Sequence, residues 1–95
     1  GAVLRNRETG ETRQVACQGI FVAIGHDPMT QAFADIVETD DEGFIVVDEA
    51  STRTSTPGVF ACGDVRDKVY KQAVIAAGHG CKAAMDVEKY LGQRE

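Results

Sequence analysis

Short apolar runs separated by polar connectors make up the first part of the chain. Residues 2–7 and 12–18 are strand-like, and the polar connector between them, 8–11, contains a glycine. A glycine inside a short polar connector between two such runs is typical of a β-hairpin. Residues 20–25 (IFVAIG) are continuously apolar, which is typical of a strand covered on both faces. The pattern therefore predicts a hairpin followed by a buried strand.

Proline, glycine and acidic residues divide the middle of the chain into short elements. Apolar residues at helical spacing predict a weak helix over 29–37, and an acidic turn separates it from a predicted strand at 44–48. Pro57 and Gly58 form a turn signal in front of a short apolar run at 59–62. This run is predicted to be a short buried strand.

A long helical pattern covers residues 68–91, with small apolar residues at steps of three and four. Gly78 and Gly80 lie inside it, where each costs roughly 1 kcal/mol relative to alanine. Two interpretations of these glycines stay open: a local kink, or a neighbouring element or ligand against the backbone. The strand at 59–62 and this helix form one end of a crossover unit. The sequence thus predicts an α/β fold with one long C-terminal helix.

Composition and charge exclude several classes of function. The 95 residues carry a formal net charge of -5, so no basic patch is available for nucleic acid or an acidic membrane surface. No run is long and apolar enough to span a bilayer. Three widely spaced cysteines imply no disulfide framework, which favours a reducing, cytoplasmic setting. Because the chain opens on a predicted strand without an initiator Met, we expect it to be a piece of a longer protein.

The end of the strand at 59–62 is the first candidate site, because Gly63 and Asp64 follow it directly. Ligands of α/β sheets bind beyond the carboxyl ends of the strands. Gly63 lets a ligand approach the backbone, and the carboxylate of Asp64 can accept strong hydrogen bonds from the hydroxyls of a sugar-like chain. An equally weighted alternative is that Asp64 caps the following turn.

The start of the long helix is the second candidate site. Residues 70–73 (YKQA) are predicted in its first turn, where backbone N–H groups lack partners within the helix and the macrodipole is positive. Such an end can stabilise negative charge that develops on a bound cofactor. From the residues alone, an ordinary helix start is the favoured interpretation. The spacing of the cysteines and histidines supports neither a metal site nor a nucleophilic catalytic arrangement.

Three stretches together carry a family resemblance. Residues 54–65 (TSTPGVFACGDV), then 70–73 and 77–80 (AGHG), resemble the C-terminal flavin-binding motif of low-molecular-weight thioredoxin reductases, in the pyridine nucleotide-disulfide oxidoreductase superfamily. Residues 19–28 (GIFVAIGHDP) are similar to the segment where those enzymes leave the NADPH domain and re-enter the FAD domain. The flavoprotein subunit of alkyl hydroperoxide reductase shares nearly all of these residues and is the alternative enzyme.

The resemblance implies a role for individual residues. Asp64 would bond the ribitol chain of FAD. The backbone of the helix end would face the pyrimidine edge of the isoalloxazine ring. The implied cofactor-binding residues are Gly63, Asp64, Val65, Lys71, Gln72 and Ala73. Cys62 stands where alanine is usual in the family and is expected to be a small buried hydrophobe.

The resemblance also implies a domain division, a fold and an activity. Residues 1–25 would close the NADPH-binding domain, and 26–95 would form the returning half of the FAD-binding domain, a three-layer (β/β/α) Rossmann-like domain. The parent enzyme, expected as a homodimer, passes electrons from NADPH to FAD, to a C-x-x-C disulfide and then to thioredoxin. Because this chain contains neither GxGxxG nor C-x-x-C, we expect no catalytic residue in it and no activity from it alone. A hypothesis from another class is a non-catalytic module that oligomerises through unpaired strand edges.

Overall fold

Two short antiparallel strands and one long helix are the main regular elements of the computed structural model, which describes residues 1–93. Strand β1, Ala2–Arg5, pairs with strand β2, Thr12–Val15, in a register that places Ala2 opposite Val15. The predicted hairpin is confirmed, with strands shorter than the apolar runs. Its connector is the polar segment that the sequence indicated.

The hairpin turn is closed by local hydrogen bonds. Oδ1 of Asn6 accepts the backbone N–H of Glu8 at 2.8 Å and of Thr9 at 3.2 Å. Gly10 has a φ of +76°, a left-handed conformation that glycine adopts without a Cβ clash. Because every one of these contacts is local, the sequence pattern was sufficient to predict this element.

Residues 20–25 do not form the predicted buried strand. They lie in a stretch, 16–30, that contains neither helix nor strand, and its apolar side chains face solvent: Phe21 is fully exposed. A strand needs a neighbour for its backbone N–H and C=O groups, and no described segment pairs with this one. The prediction is therefore wrong for the described chain.

The central region, residues 30–67, is held by turns instead of a sheet. The predicted helix at 29–37 is reduced to one 3-10 turn, Gln31–Phe33. The predicted strands at 44–48 and 59–62 each retain a single β-bridge. These bridges join Thr39 to Ile45 and Arg53 to Phe60. Among the described residues, each run is paired with its neighbouring segment over one bridge and a few backbone hydrogen bonds, which is too short to form a strand.

Only a few side chains of the described chain are buried. The buried apolar residues are Val37, Phe44 and Ala61. The buried polar residues are Thr30, Thr52 and Asp67. Cys62, which was expected to be buried, is exposed, because the sheet that would have covered it does not form. Since so little apolar surface is removed from water, hydrogen bonds to carboxylates and hydroxyls have a large part in holding this region together.

Helix α1, Ala73–Gly92, is the predicted long C-terminal helix, but it begins at Ala73 and not at Lys68. Lys71 has a φ of +54°, and a right-handed helix cannot pass through a left-handed residue. The placement of residues 70–73 in the first turn is therefore wrong for three of the four. Gln72 is the N-cap residue, and its side chain makes no capping hydrogen bond.

Side chains of the C-terminal half of α1 contact the central region. Oδ2 of Asp86 accepts both the backbone N–H of Thr52 at 2.8 Å and its hydroxyl at 2.7 Å. The rings of Phe60 and Tyr90 meet edge to face, with centroids 5.9 Å apart. Gly58, at a φ of +84°, lies close to the ring of Tyr90: an added Cβ would be 3.1 Å from the Tyr90 hydroxyl oxygen.

Candidate functional site

A cleft of about 400 Å³ lies where residues 26–29 meet the central region and the loop that leads into α1. It is lined by His26, Asp27, Pro28, Met29, Phe44, Asp64, Val65 and Lys71. Three of the six predicted site residues are thus brought together: Asp64, Val65 and Lys71. The other three, Gly63, Gln72 and Ala73, do not line the cleft.

The position of Asp64 is set by a 3-10 turn, Gly63–Val65. Gly63 has a φ of +80°, which favours glycine, and its carbonyl oxygen accepts the N–H of Arg66 at 3.1 Å. A Cβ added to Gly63 would lie 3.8 Å from the Cβ of Ala76, so the turn packs directly on the first turns of α1. Gly63 therefore provides the left-handed backbone conformation from which the turn carrying Asp64 begins.

The carboxylate of Asp64 is exposed and accepts no hydrogen bond from any residue in 1–93. The capping interpretation required such a bond to a backbone N–H of the following turn, and no described residue provides one. The carboxylate that bonds the following loop belongs to Asp67, three residues further along the chain. Both oxygens of Asp64 are therefore open to donors from outside the described chain.

Asp67 is a site residue that the sequence analysis did not single out. It is only 8% exposed; its Oδ1 accepts the N–H of Val69 at 3.1 Å and of Tyr70 at 2.9 Å, and its Oδ2 accepts that of Lys71 at 2.9 Å. The pKa of Asp67 is lowered below 3.8, and the bond from Tyr70 is the largest cause. The other two bonds and the charge of His79 act in the same direction, and together these effects outweigh burial, which raises the pKa. An aspartate two to four residues before a run of free N–H groups is an Asx-turn signal that could have revealed it.

Lys71 lines the cleft from a left-handed backbone conformation, which is uncommon for a residue with a side chain. Its ammonium nitrogen lies 5.4 Å from the centre of the Phe44 ring, within the range of a cation–π interaction. The cleft thus presents a cation on one part of its wall and the free carboxylate of Asp64 on another. The lining also includes the apolar side chains of Pro28 and Val65.

The first backbone N–H groups of α1 have no acceptor among the described residues. Those of Ala73, Val74 and Ile75 donate to no acceptor in the preceding loop, whereas the N–H of Ala76 donates to the carbonyl oxygen of Gln72 at 2.9 Å. These donors lie at the positive end of the helix dipole. The helix start is therefore beside the turn that carries the free carboxylate but is not part of the cleft lining.

The described part of the chain lacks the features of a metal site and of a membrane-spanning helix. Within residues 1–93, no cluster of three or more His, Cys, Asp or Glu side chains has the arrangement of a metal site. The described helices include none with the length and apolar character needed to cross a membrane. Cys17, Cys62 and Cys81 are exposed free thiols.

Likeness to known proteins identifies the family. Residues 2–80 match the family model described as pyridine nucleotide-disulphide oxidoreductase. The chain belongs to this family. Among relatives of this oxidoreductase chain, the thioredoxin reductase of Streptomyces clavuligerus is 54% identical over 91 residues, which are 96% of this chain and 28% of the relative. That of Rickettsia bellii is 50% identical over 93 residues, 98% of this chain and 30% of the relative.

Solved structures in the same oxidoreductase family have the same fold. The thioredoxin reductase of Streptococcus pyogenes superposes with a TM-score of 0.78 at 40% identity, covering 96% of this chain and 29% of that one. The Lactococcus lactis enzyme gives 0.77 at 40% identity, with 96% and 30% covered. The predicted fold class, part of a Rossmann-like α/β domain with one long C-terminal helix, is confirmed. The chain spans less than a third of the length of these relatives.

Proposed function

We propose that this chain forms part of the FAD site of a thioredoxin reductase. In the proposed parent enzyme NADPH reduces FAD, FAD reduces a C-x-x-C disulfide, and the dithiol reduces thioredoxin. The family match and the names of the relatives support the assignment. The observation that carries it is the free carboxylate of Asp64 on an apolar-walled cleft that also holds Lys71.

The residues of the cleft fit a flavin in chemical character. The two free oxygens of Asp64 can accept hydrogen bonds from ribitol hydroxyls, and the glycine before it leaves the backbone accessible. Apolar side chains such as Met29, Phe44 and Val65 provide contact area for a ring. When bound, FAD accepts a hydride and passes electrons on to a disulfide. The cleft residues bind and orient this group.

The start of α1 supplies the second element of the proposed site. The unpaired N–H groups of Ala73, Val74 and Ile75 can face the negative charge that a reduced flavin carries at its pyrimidine edge. Lys71 and Gln72 bring the preceding backbone towards this edge. In this proposal no residue of the chain exchanges electrons, because it contains no C-x-x-C pair.

We place a domain boundary between residues 25 and 26. The proposed end of the NADPH-binding domain, 1–25, contains the hairpin, and the proposed half of the FAD-binding domain, 26–95, contains the cleft and α1. Among the regular elements of the described chain, β1 and β2 contact only each other, and the whole has an elongated form of 67 × 26 × 21 Å. These observations support two separate units.

Thioredoxin is the proposed partner and a homodimer the proposed assembly of the parent enzyme. The names of the relatives support thioredoxin over a peroxiredoxin-type partner. A cytoplasmic location is proposed from the three free thiols, which are typical of a reducing compartment. A net charge of -5 supports neither a nucleic-acid nor an acidic-membrane partner.

The test uses a hybrid reductase, defined as the full-length Streptococcus pyogenes enzyme in which this chain replaces the matching 29% of that chain. We expect the hybrid to retain FAD and to reduce thioredoxin with NADPH. Asp64→Ala should weaken FAD binding about tenfold or more, because charge-assisted hydrogen bonds are lost, while the KM for thioredoxin stays unchanged. Flavin absorbance after gel filtration measures the retained cofactor.

Asp41→Ala is the matched control, since Asp41 is an exposed carboxylate without a hydrogen bond to any described residue, and it does not line the cleft. It should leave flavin occupancy unchanged. Full flavin occupancy in the Asp64→Ala hybrid would reject the assignment of Asp64. The 95-residue chain alone should retain no FAD, so stoichiometric flavin on it would contradict the proposal that the rest of the site lies elsewhere.

A further inference from the structure

We infer that Asp67 is a positioning residue that connects the two charged sides of the cleft. Its backbone N–H bonds the turn that carries Asp64, and its carboxylate bonds the loop that carries Lys71. The ligand named in this inference rests on the proposed function. The positioning itself is a property of the chain and can be tested without any ligand.

The connection to Asp64 runs through the backbone. The N–H of Asp67 donates to the carbonyl oxygen of Gly63 at 3.1 Å, which closes the turn Gly63–Val65 behind Asp64. The side chain of Asp67 is 8% exposed, so its position is fixed by its surroundings. One buried residue therefore sets both the turn before it and the loop after it.

The connection to Lys71 runs through the side chain. Oδ1 of Asp67 accepts the N–H groups of Val69 and Tyr70, and Oδ2 accepts that of Lys71 at 2.9 Å. No other described group accepts the N–H of Lys71. This bond is formed where Lys71 has a φ of +54°, a conformation that is strained for a residue with a Cβ. Asp67 thus holds Lys71 in a backbone conformation that it would not adopt by itself.

The consequence for the cleft follows from the direction of the Lys71 side chain. In the left-handed conformation its ammonium nitrogen lies 5.4 Å from the Phe44 ring centre, on the cleft wall. A return of Lys71 to a right-handed conformation would extend α1 backwards and redirect this side chain. A purely structural role for Asp67 predicts instead the same loss of stability whatever residue stands at position 71.

The first test measures amide hydrogen exchange in the 95-residue chain without ligand. Asp67→Asn keeps an acceptor for Val69 and Tyr70 but places an NH₂ group opposite the N–H of Lys71. The amide of Lys71 should therefore exchange about tenfold faster or more, and the other two amides should change less. Asp41→Asn, on the exposed acidic turn, should change none of them. An unprotected Lys71 amide in the wild-type chain, or equal protection in Asp67→Asn, would overturn the inference.

The second test uses the hybrid reductase and two backgrounds at position 71. The first background keeps Lys71, and the second is Lys71→Gly, which removes both the side chain and the backbone strain. Asp67→Asn should weaken FAD binding about tenfold in the hybrid that keeps Lys71 and less than about threefold in the Lys71→Gly hybrid. Equal losses in the two backgrounds would show a structural role and overturn the inference.

The two tests separate this inference from the proposed function. A hybrid that retains no FAD with the wild-type chain counts against the proposed function, while the amide exchange of Lys71 still decides whether Asp67 positions the loop. Conversely, a hybrid that binds FAD and loses it only on Asp64→Ala supports the proposed function but contradicts the role of Asp67.

Discussion

The two ends of α1 are held in place by different means. At the C-terminal half, side chains of the helix itself reach the central region: Asp86 bonds the fully buried Thr52, and Tyr90 packs on an aromatic ring. At the N-terminal end no side chain caps the helix, and the loop before it is held by the carboxylate of Asp67. In the C-terminal half, Asp86 thus has partners within the chain, whereas the N-terminal end leaves Asp64 and several N–H groups open.

This difference indicates that the two ends of the helix have different roles, one in stability and the other in binding. Unpaired polar groups contribute nothing to folding and are costly when they are buried without partners. Groups that are left open at the surface are available to a ligand. The C-terminal half of α1 stabilises the chain, and the N-terminal end is where binding is proposed. Substitutions at the two ends should therefore separate stability from flavin binding.

The largest effect is expected at Tyr90, which contacts Phe60 and Gly58 in the structure. Tyr90→Ala should lower the free energy of unfolding of the chain by about 2–3 kcal/mol, because a half-buried aromatic ring and its edge-to-face partner are lost. Urea unfolding followed by the helical circular dichroism signal measures this change. Met85→Ala, on the exposed side of the same helix, should cost less than about 0.5 kcal/mol.

If Tyr90→Ala lowers the free energy of unfolding no more than Met85→Ala does, the C-terminal half of α1 does not have the stabilising role proposed for it. In the hybrid reductase, loss of FAD from a folded Tyr90→Ala variant would contradict the separation of stability from flavin binding. The expected result is a lower midpoint of urea unfolding, with full flavin occupancy at urea concentrations below that midpoint.

An intermediate effect is expected from acid at the Asp86–Thr52 contact. Hydrogen bonds from the hydroxyl and the N–H of Thr52, with smaller contributions from Arg53 and Lys82, outweigh burial and lower the pKa of Asp86 below 3.8. A carboxylate whose pKa is lower in the folded state stabilises the fold fully above its unfolded pKa and loses this effect as the pH falls through the folded pKa. The free energy of unfolding should therefore fall as the pH drops below about 4.

Asp86→Asn should flatten this acid dependence, since Asn does not titrate. It should also lower stability at neutral pH, because the two bonds that Thr52 donates to Oδ2 lose their charge assistance. Asp40 and Asp67 also have lowered pKa values, so part of the dependence should persist. Asp41→Asn is the control and should leave the curve as in the wild type. An unchanged acid dependence in Asp86→Asn would contradict the proposed importance of this contact.

Elements fixed by local contacts were predictable from the sequence. The hairpin depends on Asn6 and on a left-handed Gly10 within its own turn, and α1 depends on an apolar period of three and four residues. The predicted strand at 20–25 failed because no segment of the described chain pairs with it. Those at 44–48 and 59–62 failed because the neighbouring segment of each pairs with it over a single bridge. An apolar run indicates burial but cannot supply its own partner.

The candidate site was only partly accessible to sequence reasoning. The resemblance singled out Asp64, Val65 and Lys71, which the structure brings to one cleft. The start of α1 was misplaced because Lys71 has a left-handed backbone and donates its N–H to the side chain of Asp67, and periodicity registers neither feature. The contact of Asp86 with Thr52 joins residues 34 positions apart, so no local pattern could indicate it.

The smallest effect is expected at Gly78, for which the sequence left two interpretations open. α1 is continuous through this residue, and nothing in the described chain lies within 4 Å of an added Cβ. Gly78→Ala should therefore stabilise the 95-residue chain by about 0.5–1 kcal/mol, since alanine loses less backbone entropy in a helix. Gly80→Ala, on a different face of α1, should give a similar gain.

The hybrid reductase should separate these two glycines. Gly78 shares a face with Val74 and Met85, which are 82% and 64% exposed in the described chain, and an exposed apolar stripe of this kind is typical of a surface that another element covers. If the remainder of the enzyme covers it, an added methyl group meets a neighbour, so Gly78→Ala should destabilise the hybrid although it stabilises the chain. Gly80→Ala should remain favourable in both. The same gain for Gly78→Ala in the hybrid would mean that this face of α1 stays open, and the glycine would then be explained by helix flexibility alone.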